Sequence, residues 1–221
     1  SAAPSFASRV KFRPFAPASR APAAIVLQAS TDPRHAAAPR LPGDLFIWYV
    51  IALELATFCV LFGAFAFTRL RHLELFRTSQ QSLDVSAGAL NTALLLSASW
   101  AVARAVHATR DNTRGAALGW LGAGWLLGAG FVVFKLREYA DKAAQGIGMG
   151  DGNLFFDFYY ILTGFHLLHV LAGLLALGLT AIGLARQRGR LQAHTLETAG
   201  AFWHLVDLLW LVLFPLVYVM R

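Results

Sequence analysis

Three polar motifs carry the residues of this chain that could exchange protons or bind a metal ion. Glu54 stands alone inside a long apolar segment, and Thr163–His169 (TGFHLLH) contains two histidines three residues apart. The third motif, Trp203–Asp207 (WHLVD), holds His204 and Asp207 at the same spacing. Carboxylates and imidazoles at helical spacing can share a proton, join two helices by hydrogen bonds or ligate a metal.

Glu54 lies ten residues after Asp44, a residue that we expect to cap the N-terminus of its helix. At 1.5 Å per residue this is roughly 15 Å along the helix, close to the middle of a bilayer. A carboxylate at that depth must be protonated, paired, or bonded to water or a lipid headgroup. Glu54 is therefore a proton-handling group, a lipid-pocket group, or a protonated acid that ties two helices together.

The histidines favour hydrogen bonds between helices over metal binding. His166 and His169 lie three residues apart and could share one edge of a metal, but they cannot ligate a haem from opposite faces. We expect His204 to donate to Asp207 or to a nearby carbonyl group. Asn91, Thr163, His166 and Glu138 are expected to pack helices through polar contacts. The sequence predicts no catalytic, metal-binding or cofactor-binding residue in this chain.

The elements that position these motifs are helices that cross a membrane. The chain has 221 residues, of which 57% are hydrophobic and 14% charged, whereas soluble domains carry about 25% charged residues. Continuous apolar runs such as Leu167–Leu179 exclude the alternating pattern of a β-barrel. We predict an all-α polytopic bundle of five helices, at about 44–68, 88–108, 116–136, 155–184 and 199–220.

The connections and tail complete the predicted organisation. Residues 1–43 are basic and poor in acids, typical of a disordered tail near anionic headgroups or of an organellar transit segment, and residues 44–221 form the transmembrane domain. The net charge of +7 lies mainly in the tail and at helix ends. This distribution argues against nucleic acid as a partner. It favours a cytoplasmic N-terminus and a periplasmic C-terminus in a bacterial inner membrane, or a mitochondrial inner membrane as the alternative.

Four further expectations concern details of these helices. Residues 69–87 are predicted to form a surface loop, and Cys59 a buried thiol. The spacing of Gly124 and Gly128 places both on one helix face and predicts close helix packing. Glu138 and Tyr139, with the nearby Lys135 and Arg137, are expected to form an interfacial charge cluster with water available to most of its members.

The ordered motifs resemble subunit III of haem-copper oxidases. TGFHLLHVLAG (163–173) is similar to the TGFHG-x-HV helix of that family, and AFWHLVDLLWL (201–211) resembles its WHFVD-xx-W helix. LNTALLLSAS (90–99), the Glu-Tyr pair at 138–139 and Glu54 support the match. Leu167 replaces the usual glycine after the first histidine. The chain looks most like the short five-helix branch, which includes proteins associated with nitric oxide reductase.

The resemblance implies a non-catalytic accessory role. Such a subunit packs beside the catalytic subunit I and other subunits, holds structural phospholipid, and supports sustained turnover and proton uptake. Haem and copper, or iron, belong to the catalytic partner. Glu54 matches the buried, carbodiimide-reactive glutamate of the family. His169, Trp203, His204 and Asp207 match polar helix positions that shape a proton-related or lipid pocket.

Three alternatives remain open. The parent complex could be a nitric oxide reductase rather than an oxygen-reducing oxidase. The chain could be an independent small membrane transporter that uses Glu54 and the histidines, although it contains no repeated half. A haem-binding membrane cytochrome would require His107 and His204 to lie opposite each other.

Overall fold

The computed structural model describes residues 45–186 and 190–220, which form six α-helices and a final π-helical turn. In chain order these are α1 (Leu45–Arg71), α2 (Leu73–Gln80), α3 (Val85–Arg110), α4 (Arg114–Ala144), α5 (Leu154–Arg186), α6 (Arg190–Phe214) and the π turn (Pro215–Val219). Five of the helices are long and apolar enough to cross a membrane. The predicted all-α, five-span membrane architecture is confirmed.

The observed helices are longer than the predicted ones and include one that was not expected. α4 continues to Ala144 and α6 begins at Arg190, so both extend beyond the apolar runs that defined the predicted spans. The segment 69–87 is not a simple loop, because it contains α2 and the start of α3. The predicted tail, 1–43, and the predicted cap at Asp44 lie outside the described residues.

α2 is a short amphipathic helix beside the spans. Its Phe76 is fully buried and packs edge-on against Phe65 of α1 and Phe155 of α5, with ring centroids 5.3 and 5.5 Å apart. Glu74 and Arg77 occupy its exposed face. The hydrophobic pattern of α2 is too short to cross a bilayer, so α2 lies at the membrane surface between the first two spans.

The turns have identifiable local causes. The side chain of Asp84 caps α3 by accepting hydrogen bonds from the backbone N–H groups of Ser86 and Ala87. Gly150 and Gly152 have φ angles of +89° and +81° in the connection between α4 and α5. Only glycine adopts this left-handed backbone without strain, which explains the glycine-rich sequence of that loop.

The helices differ in how deeply they are packed. In the most apolar stretch of each span, 50% of α6 residues are buried but only 11% of α1 residues. α6 is therefore the central helix, and α1 lies at the periphery against α5 and α6. Small residues allow the close approaches: a Cβ on Gly88 of α3 would meet the Phe214 ring at 2.7 Å.

The π turn is stabilised by hydrogen bonds from side chains of α1 and α2. Pro215 cannot donate a backbone hydrogen bond, and the helix widens into the π turn from that residue. Nε2 of Gln80 donates to the carbonyl oxygens of Leu216 and Val217, at 3.3 and 3.0 Å. The guanidinium of Arg69 donates to the carbonyl of Met220 at 2.7 Å. These contacts tie α1 and α2 to the last turn.

Candidate functional site

Glu54 and His169 form a polar pair between α1 and α5, with Glu54 in the first half of its helix and His169 near the middle of its own. The distance from Oε2 of Glu54 to Nε2 of His169 is 2.9 Å, and the two side chains are 20% and 11% exposed. Phe58, one turn after Glu54, packs against the ring of Phe165, one turn before His169, at 5.3 Å between centroids. Both phenylalanines also contact the imidazole. The apolar spacing on the two helices thus aligns the carboxylate with the imidazole.

The second nitrogen of His169 fixes the proton arrangement of this pair. Nδ1 lies 2.8 Å from the backbone carbonyl of Phe165, which can only accept, so Nδ1 carries a proton. Nε2 then contacts Glu54 either as an acceptor from a protonated carboxyl or as the donor of an imidazolium to a carboxylate. Both arrangements hold one proton between the two groups and have no net charge. A neutral pair is tolerated in hydrocarbon far better than an isolated ion.

His204 and Asp207 are not bonded to each other. Nδ1 of His204 lies 2.5 Å from the hydroxyl oxygen of Ser99 on α3, so the expected His204–Asp207 hydrogen bond is replaced by a contact between helices. Asp207 is 5% exposed, and neither carboxylate oxygen has a hydrogen-bond partner among the described residues. His107 lies eight residues beyond Ser99 on α3, about 12 Å along the helix. The arrangement in which His107 faces His204 across a haem is therefore not observed.

His166 makes aromatic contacts where we expected a hydrogen bond. Its ring is fully buried, 5.1 Å from the Trp210 ring and 5.8 Å from the Phe131 ring. Neither ring nitrogen has a partner within residues 45–186 and 190–220. Asn91 is buried on α3 and its side-chain oxygen is similarly unpartnered within those ranges.

Thr163 links α5 to α4. Its hydroxyl donates to the carbonyl of Tyr159 within the same helix, so the 2.8 Å contact with Tyr139 is donated by the tyrosine. His166 and Thr163 both pack helices, but only Thr163 does so by a hydrogen bond.

Trp203 fills a cleft between α4 and α5. Its indole is fully buried, and glycine occurs at both positions that it touches: a Cβ on Gly128 or Gly173 would lie 2.6 or 2.8 Å from the ring. Gly124 approaches a different helix, since the atoms nearest to it belong to Val102 and Ala98 of α3. The predicted close packing at Gly124 and Gly128 is observed, with the two glycines serving separate interfaces.

Lys135 and Glu138 form a buried ion pair in the second half of α4 that the sequence did not predict. Lys135 is fully buried and donates to Glu138 and Tyr159, each at 3.1 Å, and to the hydroxyl of Tyr218 at 2.6 Å. The hydroxyls of Tyr159 and Tyr218 donate in turn to Oε1 of Glu138. Lys135 is the member of the expected cluster that water does not reach, because α5 and the π turn cover it. The i,i+3 spacing of Lys135 and Glu138 was the available signal, but nothing local indicates the two tyrosines.

The described residues contain no group of three or more His, Cys, Asp or Glu side chains placed to hold a metal ion. Cys59 is exposed on α1 rather than buried. Its thiol therefore faces the surroundings of the bundle.

Comparison with known proteins gives a consistent set of relatives. Residues 46–221 match the profile of the family described as cytochrome c oxidase subunit III. The heme-copper oxidase subunit I+III of Aeropyrum pernix is 31% identical over 180 residues, which cover 78% of this chain and 22% of that protein. The cytochrome c oxidase subunit 3 of a Synechocystis species is 34% identical over 142 residues, covering 62% and 58%. The cytochrome bo(3) ubiquinol oxidase subunit 3 of Pseudomonas aeruginosa is 30% identical over 172 residues, covering 76% and 82%. The chain thus spans a minor part of the first relative, more than half of the second and most of the third.

Proposed function

The chain belongs to the cytochrome c oxidase subunit III family, and we propose that it is a non-catalytic accessory subunit of a respiratory haem-copper oxidase complex. In this role it stabilises the catalytic subunit, which carries the haem and copper, and supports proton uptake while oxygen is reduced. The chain itself holds no redox centre in this proposal.

The Glu54–His169 pair is the observation that carries the proton-related part of the proposal. One proton resides between the carboxyl and the imidazole, and its transfer from one to the other leaves the net charge at zero. The pair can therefore keep a proton at mid-bilayer depth without the large desolvation penalty of a single ion. Partial exposure of both side chains leaves the pair accessible from the surface of the bundle.

The lipid-holding part of the proposal is supported by an apolar groove between α4 and α5. The groove has a volume of about 480 Å³, and Trp125, Leu171, Leu175 and Ile182 are among the residues that line it. The indole N–H of Trp125 is bonded to the carbonyl of Leu174, so the groove offers an apolar surface to an acyl chain. We expect a structural phospholipid there.

Co-purification in mild detergent tests the proposal. A tagged chain is isolated from its native membrane, and the eluate is analysed by visible spectroscopy and mass spectrometry beside an untagged control. Recovery of a haem-bearing catalytic subunit supports the accessory role, and turnover assays of the eluate with oxygen and with nitric oxide identify the substrate of the complex. A colourless chain without partners would overturn the proposal, and ion flux in liposomes would then support a transporter.

A further inference from the structure

A polar pair lies on the outer surface of the bundle at mid-bilayer depth, where hydrocarbon would otherwise surround it. Ser99 stands near the middle of α3, and His204 near the middle of the span His194–Val219. Their side chains are joined by the 2.5 Å contact between Oγ and Nδ1. His204 is nevertheless an exposed residue, unlike the buried His166 and the largely covered His169.

The hydrogen bond to Ser99 does not satisfy the His204 ring. If the Ser99 hydroxyl donates to Nδ1, the ring proton is on Nε2, which has no acceptor in the described part of the chain. If Nδ1 donates to Ser99, then Nε2 is an acceptor without a donor. Either state leaves one ring nitrogen unpaired, and an unsatisfied polar group in hydrocarbon costs several kcal/mol.

Asp207 is a buried carboxyl group beside this pair. It lies one turn along α6 from His204, is 5% exposed, and has two carboxylate oxygens without a partner among the described residues. The Ser99 hydroxyl is within hydrogen-bonding reach of this carboxyl group as well as of His204. Buried carboxyl groups in native proteins are normally hydrogen-bonded. The carboxyl oxygens are enclosed by this chain, so the surroundings must supply a hydrogen-bonding group for the exposed His204 ring.

Lipid cannot supply this hydrogen-bonding group near the middle of the bilayer. The exposed neighbours Leu96, Trp100, Leu208 and Leu211 are apolar and suit a membrane interior. Headgroups, however, lie about 15 Å from the bilayer centre, and acyl chains have no hydrogen-bonding groups. A protein helix that crosses the membrane can place a polar side chain opposite His204.

We propose that this α3–α6 face, defined by Leu96, Ser99, Trp100, His204 and Leu208, docks a transmembrane helix of the haem-bearing catalytic subunit. The docked helix contributes a hydrogen-bonding side chain to His204. The proposal rests on the accessory function proposed above. The Aeropyrum pernix relative supports this choice of partner, since its name places subunits I and III in one chain.

The exposed face of α5 provides the contrasting surface. Leu168, Leu171, Leu175 and Leu179 are 44–64% exposed along the middle of its span, and all are apolar. Such a face has no hydrogen-bonding group that lipid would leave unsatisfied. We therefore expect α5 to face lipid while the α3–α6 face is covered by protein.

Site-specific photo-crosslinking in native membranes tests the docking surface. A benzophenone amino acid replaces Leu208 on the α3–α6 face or, as the control, Leu168 on α5, which are 53% and 63% exposed. We expect an adduct with the catalytic subunit from position 208 and not from position 168. Adducts from 208 only to lipid or to a second copy of the chain, or equal adducts from both positions, would overturn the proposal.

Variants of the polar groups provide a second readout. His204→Phe should lower the haem recovered per tagged chain by roughly tenfold, the scale expected when a desolvated polar contact is lost from an interface. Leu168→Phe should leave this ratio unchanged. Unaltered recovery with His204→Phe would contradict the docking role. Crosslinking keeps His204 in place, so it decides the matter even where the variant fails to fold.

The two proposals fail in different ways. A wild-type chain that recovers no haem protein overturns the accessory function and, with it, the docking partner. A wild-type chain that recovers the haem subunit, but crosslinks to it only from α5, overturns the docking surface alone.

Discussion

Glu54 meets His169 across the interface between α1 and α5, with 2.9 Å separating Oε2 from Nε2. The carbonyl of Phe165 holds the other imidazole nitrogen in its protonated form. The tautomer is therefore set by α5 itself, and only the position of the shared proton can vary. With one proton between the two groups the pair is neutral, whether that proton lies on the carboxyl or on the imidazole.

Glu54→Gln should remove the exchangeable proton of the Glu54 carboxyl while keeping the contact between α1 and α5. The glutamine amide can donate to Nε2 of His169 and keep the contact between helices, but it cannot exchange a proton. We expect the complex to assemble normally and then to lose activity faster during sustained turnover. Oxygen consumption by the purified complex, followed over prolonged turnover, measures this. Activity that stays equal to wild type throughout would remove Glu54 from the functional residues.

The reaction of Glu54 with a hydrophobic carbodiimide should depend on His169. Carbodiimides attack protonated carboxyl groups, and the hydrogen bond to His169 draws the carboxyl proton toward the imidazole. In His169→Phe, the isolated carboxyl must keep its own proton to remain in hydrocarbon. We expect faster labelling of the Glu54 peptide in His169→Phe and none in Glu54→Gln, measured by mass spectrometry. Slower labelling in His169→Phe would contradict the shared-proton description.

The sequence predicts the spans well because the membrane imposes a simple requirement on each of them. A helix must present about 20 apolar residues, and this pattern is visible without knowledge of its neighbours. Glu54, His169 and His204 are likewise visible as polar interruptions of those spans. Their depth in the membrane follows directly from counting residues.

The partners of these residues are not predictable in the same way. Whether His204 meets Ser99 or Asp207 depends on how far each helix is rotated and shifted against the next. Lys135 meets Tyr218 only because the last turn of the chain folds against α4. Lys135 lies near the end of the predicted span, where water is the usual partner, but α4 continues to Ala144. No local pattern indicates the tyrosines that enclose Lys135.

Lys135→Met should destabilise the bundle, because it leaves the carboxylate of Glu138 without its cationic partner. Glu138 is 14% exposed and would lose the buried ammonium that neutralises it. Removing one member of a buried ion pair typically costs about 3–5 kcal/mol. We expect a clear fall in the thermal unfolding temperature of the detergent-solubilised protein, and partial recovery in Lys135→Met with Glu138→Gln. Additive losses in the double variant would show that the two charges do not stabilise each other.

Gly128→Ala should disturb the packing of the Trp203 side chain. The new Cβ would lie 2.6 Å from the fully buried indole and 2.9 Å from the side chain of Leu174. Overpacking of this kind costs about 1–3 kcal/mol. Gly122→Ala on the same helix is the matched control, because no atom lies within 4 Å of its Cβ. We expect a lower unfolding temperature for Gly128→Ala alone, and an equal effect of both variants would exclude the packing explanation.

Gln80→Leu should loosen the end of the chain without altering the spans. Gln80 is fully buried, and its amide satisfies the carbonyls of Leu216 and Val217 in the π turn that follows Pro215. Leaving such groups unpaired costs about 1–3 kcal/mol. Local opening should appear as faster hydrogen exchange at residues 216–220, where the amide of Met220 is bonded to the carbonyl of Pro215.

The neighbouring residue provides the control for this variant. Gln81 is exposed, and its side chain makes no hydrogen bond within the described residues, so Gln81→Leu changes polarity at the same membrane depth without touching the π turn. We expect exchange at 216–220 to match wild type in Gln81→Leu. Faster exchange in both variants would attribute the effect to the membrane surface rather than to the Gln80 amide. Faster exchange in Gln80→Leu alone would establish that α2 holds the last turn through this one side chain.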